Sequence, residues 1–66
     1  MQIHLNGEQK EIADGSTVAA LLASLGIGTE RVAVEVNLDI VPRARHAEQV
    51  INPGDRIEIV QFVGGG

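Results

Sequence analysis

Strand-like alternation marks both ends of the chain, and one helix-like stripe lies between them. Ile3 and Leu5 alternate with Gln2, His4 and Asn6, which predicts a half-buried strand. Asn6-Gly7 is the dipeptide favoured in a type I′ hairpin turn, where both central residues need φ > 0. Glu8 to Ile12 is then the return strand. It is mostly polar, which places it at a sheet edge, where charge discourages pairing with another chain. Asp14-Gly15-Ser16-Thr17 reads as a turn into a helix, with Ser16 or Thr17 capping the first amides. Val18, Leu21, Leu22 and Leu25 follow at i, i+3, i+4 and i+7, one apolar helix face. Gly26 suits the left-handed position that ends such a helix.

Ile27 to Arg31 is a connector. Val32, Val34 and Val36 share one face of a β-branched run, with Glu35 on the other, and predict a strand. Asn37-Leu38-Asp39 reads as a turn, and Ile40-Val41 as a short strand closed by Pro42, which has no amide for a ladder. Arg43 to Gln49 is polar and irregular, with room for one helical turn. Arg43 and Arg45 form a local basic pair, either solvated or facing an acidic partner or a phosphate. Asn52-Pro53-Gly54-Asp55 has the type II turn arrangement. The final strand runs from Arg56 to about Val63. Ile57 and Ile59 fall on one face, Val60 and Phe62 on the other. Either this strand is buried on both sides, or an apolar patch lies exposed as a docking surface.

Four to five strands and one helix predict a two-layer α+β domain. With the first and last strands side by side, they run parallel at the centre of a mixed sheet and the helix crosses one face. That is the β-grasp (ubiquitin-like) arrangement. The domain is expected over residues 1–63, with 64–66 as a flexible glycine tail.

Sixty-six residues make one domain near the lower limit for folding without staples, and there is no cysteine for a disulfide or a zinc site. The apolar fraction is 44%, nearly all aliphatic, which suffices for a small core. A net charge of −4 and a single aromatic residue argue against a nucleic-acid binder, which needs a basic patch and stacking rings. No run approaches the ~20 apolar residues of a membrane span. The N-terminus lacks a signal-peptide pattern, so a cytoplasmic location is expected.

A self-contained active site is not apparent. Ser16, Thr17, Ser24 and Thr29 sit at cap, helix or connector positions. His4 and His46 belong to no metal-ligand spacing, and no glycine-rich loop with a following lysine offers a phosphate cradle. The chain is therefore expected to be no enzyme and to bind no cofactor or metal. One group stands out, the carboxylate of Gly66 behind Gly64 and Gly65. Glycines pass through channels that a side chain would block, and three of them reach roughly 10 Å when extended. An α-carboxylate with a pKa of roughly 3.5 is anionic at neutral pH and can attack an activated phosphate. The competing reading is a frayed terminus.

Several segments together resemble the ThiS family, sulfur carriers of thiamin biosynthesis. They are Asn6-Gly7, Asp14-Gly15-Ser16-Thr17-Val18 before Leu21-Leu22, Val34-Glu35-Val36-Asn37, Ile40-Val41-Pro42-Arg43, Gly54 through Val60, and Phe62-Val63-Gly64-Gly65-Gly66. The resemblance covers essentially the whole chain. It implies that a ThiF-like adenylating enzyme, using ATP-Mg, activates the Gly66 carboxylate. A cysteine-derived persulfide then supplies sulfur, and a ThiG-like thiazole synthase takes it from the resulting thiocarboxylate. Gly66 is then the residue modified, Gly64 and Gly65 the slender lead-in, and Val60, Phe62 and Val63 the docking surface. The family ends in two glycines where this chain has three, so the register of the tail is open. Three other readings stand beside it: a molybdopterin synthase small subunit, a ubiquitin-like modifier, and a plain interaction module.

Overall fold

The computed structural model describes residues 1–62. Five strands form one mixed sheet: β1 (Gln2–Leu5), β2 (Glu8–Glu11), β3 (Val32–Val36), β4 (Asp39–Val41) and β5 (Arg56–Gln61), in the spatial order β2-β1-β5-β3-β4. The helix α1 spans Val18–Ser24, and short 3₁₀ turns occupy Thr29–Arg31 and Arg43–Arg45. β1 and β5 pair in parallel at the centre, with His4 opposite Arg56 and Leu5 opposite Ile57. Antiparallel β2 and β4 close the two edges. The β-grasp fold expected from the alternation is the fold observed.

Local chemistry sets each element. Asn6 and Gly7 both have positive φ (49° and 85°), as a type I′ turn requires, and β1 and β2 pair without slippage across it. Thr17 is the N-cap of α1, its hydroxyl oxygen accepting the Ala20 amide at 3.1 Å. At the other end, Gly26 (φ 71°) donates to Ala23 O, and Ile27 donates to Leu22 O. That is the doubled bond of a Schellman ending, which a glycine permits. Val18, Leu21 and Leu22 are buried against Ile3, Val34, Ile51 and Ile57, so the 3.6-residue stripe and the period-two faces meet in one core.

The segment 43–49, polar and irregular by pattern, turns out to finish the helix. His46 O accepts the Ala19 amide at 2.8 Å and Gln49 O accepts the Val18 amide at 3.0 Å. With Thr17 on Ala20, the first three amides of α1 are all satisfied, as a buried helix start requires. β5 ends at Gln61, two residues short of the expected Val63, and Val63 itself lies outside the described residues. Among the described residues, no helix is long and apolar enough to cross a membrane.

Candidate functional site

β5 carries the candidate site, and its neighbours hold it with two asparagine side chains. In a parallel ladder the bonds are evenly spaced. His4 N donates to Asp55 O and Asn6 N to Ile57 O, both at 2.9 Å. At Asn6 the backbone turns away into the hairpin, and the side chain takes over the ladder. Its Oδ1 accepts the Ile59 amide at 2.8 Å, and its Nδ2 donates to Ile59 O at 3.3 Å. On the opposite side of β5, Asn37 does the same at the strand's start. Its Oδ1 accepts the Arg56 amide at 2.9 Å while its Nδ2 donates to Asp55 Oδ1 at 3.0 Å. Both asparagines have positive φ, 49° and 51°. An asparagine tolerates that conformation better than most residues and offers an amide to do ladder work.

Held this way, β5 shows two different faces. Ile57 is buried and Ile59 half-buried on the helix side, whereas Glu58, Val60 and Phe62 are open to solvent on the other. Val60 is 56% exposed and Phe62 60% exposed, which resolves the two placements left open by the pattern in favour of a surface patch. Ala33 stands opposite Val60 on β3, and Ile40 stands opposite Glu35 on β4, extending the apolar surface across the sheet. The backbone remains tied as far as Phe62, whose amide donates to Arg31 O at 2.9 Å. Glu35 and Glu58 lie directly opposite one another between β3 and β5, and among the described residues neither has a cation partner.

Other candidate groups serve the fold. Ser16 Oγ donates to Ala13 O, and Ser24 Oγ to Leu21 O. His46, assigned by pattern to a polar segment, is only 3% exposed. Its Nε2 lies 3.1 Å from Val41 O, and its Nδ1 has no protein partner. No periodic signal surrounds it, which is why pattern alone places it outside the core. Arg43 and Arg45 are exposed, and Arg45 lines an open groove of about 490 Å³ beside Asp39, Ile40, Pro42 and Asn52. That groove is also lined by Asp55, just before β5 begins, and it includes neither Val60 nor Phe62. The Met1 ammonium bonds to Glu11 Oε2 at 2.7 Å, to Asp14 Oδ1 at 3.0 Å and to Ile12 O at 2.7 Å. Hydrogen bonding to Glu11, then to Asp14, raises its pKa above the ordinary value of 8.0.

This geometry has close counterparts. The sequence model of the ThiS family matches residues 3–66. The chain belongs to the ThiS family. It is 36% identical to the sulfur carrier protein ThiS of Escherichia coli, over the full length of both. A crystal structure of the thiamine biosynthesis protein ThiS from Geobacter metallireducens superimposes with a TM-score of 0.85, at 30% identity and covering 100% of both chains. A thiazole synthase of Paramagnetospirillum magneticum is 47% identical over 66 residues, but the chain spans only 20% of that protein's length. Within this ThiS-family chain, Val60 lies near the end of β5 and Phe62 just beyond it, and both are exposed. Val63, Gly64, Gly65 and Gly66 follow in the sequence and lie outside the described residues. The two asparagine supports were missed by pattern, although Asn6 was marked for its turn. The signal that could have found them is an asparagine at the end of a strand that neighbours β5.

Proposed function

We propose that the chain is a sulfur carrier for thiazole formation in thiamin biosynthesis, with the Gly66 carboxylate as the working group. One observation carries this reading. The final strand leaves the core after Ile59 with Val60 and Phe62 open to solvent, and after Val63 the sequence is three glycines. Family membership supports it. The body is a handle that a partner grips by the apolar sheet face, while a slender lead-in of Gly64 and Gly65 enters the partner's channel. The partner is an adenylating enzyme that supplies ATP-Mg. The Gly66 carboxylate attacks the α-phosphorus and pyrophosphate leaves, giving an acyl-adenylate. A persulfide sulfur then attacks the acyl carbon and AMP leaves. Cleavage of the resulting S–S bond by a thiol releases the thiocarboxylate. Thiazole synthase is the acceptor. The relatives of that name, which carry a segment like this chain within a longer protein, support that assignment. This chain contributes the Gly66 carboxylate and its presentation, and the groups that activate it and deliver sulfur belong to its partners.

Intact-protein mass spectrometry tests the proposal. The chain is incubated with ATP-Mg, the adenylating enzyme of the same cells and a persulfide donor. A product in which one oxygen of Gly66 is replaced by sulfur is expected, and a variant lacking Gly65 and Gly66 should fold normally yet gain no sulfur. Equal loading of the shortened variant would overturn the assignment.

A further inference from the structure

We propose that Asn6-Gly7 is a site of spontaneous deamidation which the fold keeps silent, and whose conversion unpins β5. The chain has three asparagines, and their successors differ. Asn52 precedes Pro53, which has no amide nitrogen to act as a nucleophile. Asn37 precedes Leu38, whose side chain crowds the approach. Asn6 precedes Gly7, which has a free amide and no Cβ. A Cβ built at Gly7 would meet nothing within 4 Å, and both residues are exposed, so water has open access.

The reaction needs no co-reactant beyond water. The Gly7 amide nitrogen attacks Asn6 Cγ and loses its proton, the Cγ–N bond breaks, and ammonia leaves behind a five-membered succinimide. Water then opens the ring at either carbonyl, leaving an aspartyl or an isoaspartyl unit at position 6. For the attack, the side-chain amide must turn toward Gly7. In the fold it is held the other way, with Oδ1 and Nδ2 both engaged by the backbone of Ile59 at 2.8 and 3.3 Å. Attack therefore requires both bonds to break, through an opening of the hairpin whose outer strand β2 is the sheet edge.

Conversion is not neutral for the strand. An aspartyl unit keeps an acceptor for the Ile59 amide but sets a second oxygen against Ile59 O, where Nδ2 had donated. An isoaspartyl unit adds a backbone methylene inside a two-residue turn. Either way the pin on Ile59 is weakened by the loss of the Nδ2 bond to its carbonyl, one residue before Val60 and three before Phe62. A chain that opens its hairpin is thus altered irreversibly at the strand presenting its exposed patch.

The test follows the native chain at mildly alkaline pH, folded and in urea, with peptide mapping of the exchange of NH₂ for OH at each asparagine. Conversion at Asn6 is expected to be about tenfold or more faster in urea, with Asn37 and Asn52 unchanged. Equal rates in both states would overturn the guarding role of Ile59, and faster conversion at Asn37 would overturn the site. The converted fraction, made in urea and refolded, is then compared with refolded unmodified chain by amide exchange, alongside the Asn6→Asp variant. Exchange at the Ile59 amide should rise about tenfold relative to that at Leu22. Failure of the converted fraction alone to refold supports the same conclusion, whereas equal Ile59 exchange in both would sink it.

Discussion

On the helix side of the sheet, Ile3, Val34 and Ile57 are closed off from water by α1, whereas on the other side the same strands turn Glu35, Glu58, Val60 and Phe62 outward. One residue along the strand separates the two environments, because successive side chains alternate. The covered face follows the rules of stability: aliphatic side chains packed in one cluster, with the first amides of α1 satisfied. The bare face breaks them twice, with apolar side chains left wet and with two carboxylates set opposite each other. Like charges directly opposite on paired strands are destabilising. This small body builds its core on one face of the sheet and leaves the other open for contact.

The largest effect should come from the covered face. Leu22→Ala removes a side chain with no exposed surface and is expected to cost about 2–5 kcal/mol, read as a drop in the urea midpoint. A midpoint unchanged within error would mean that α1 does not close the core. Phe62→Ala sharpens the contrast. Its stability should stay within about 0.5 kcal/mol of the parent. Binding to the adenylating enzyme should weaken by about tenfold or more, because an exposed aromatic is a typical interface anchor. The opposite pattern in paired melt and titration experiments would move Phe62 into the core.

A smaller effect with the opposite sign is expected at the paired carboxylates. Glu58→Lys places a cation opposite Glu35 and should raise stability by up to about 1 kcal/mol. A lower midpoint for this variant would show that the two carboxylates do not repel in the folded chain. The smallest effect concerns the Met1 ammonium. Its folded pKa is raised, so its stabilising contribution is complete below about pH 8 and is lost as pH rises through the folded value. The denaturant midpoint should therefore fall slightly on the alkaline side of pH 8. Glu11→Gln should blunt that decline, and an undiminished decline in the variant would assign it to other groups.

Much of this architecture was legible wherever a side-chain pattern or a turn dipeptide carried the information. Ile3 and Leu5, the Val32-Val34-Val36 face and the Val18-Leu21-Leu22 stripe announce which way they point. Asn6-Gly7 and Pro53-Gly54 announce their turns. The illegible parts are those where backbone or amide groups act. Residues 43–49 look unstructured because their service to α1 is rendered by the carbonyls of His46 and Gln49, which every residue type possesses. Leu38 sits at φ 74°, where a side chain is strained, and nothing in its identity betrays that. The exposure of Val60 and Phe62 was undecided in sequence, because a two-faced apolar run fits a central strand as well as a surface patch. The adjoining strands settle it, since α1 covers a single face.

The parallel pairing of β1 with β5 also governs how the chain is made. Asn6 and Ile59, bonded in the finished sheet, stand 53 residues apart. During synthesis β1 emerges first and has only its hairpin partner β2 to lie against. The central seam waits for nearly the whole chain, and such long-range closure is slow. The two hairpins and α1 are built from contacts local in sequence, whereas seating Ile57 between β1 and β3 joins segments distant along the chain. A half-made chain therefore has no properly seated β5, and the apolar patch gains its fixed geometry only in a body that is already complete.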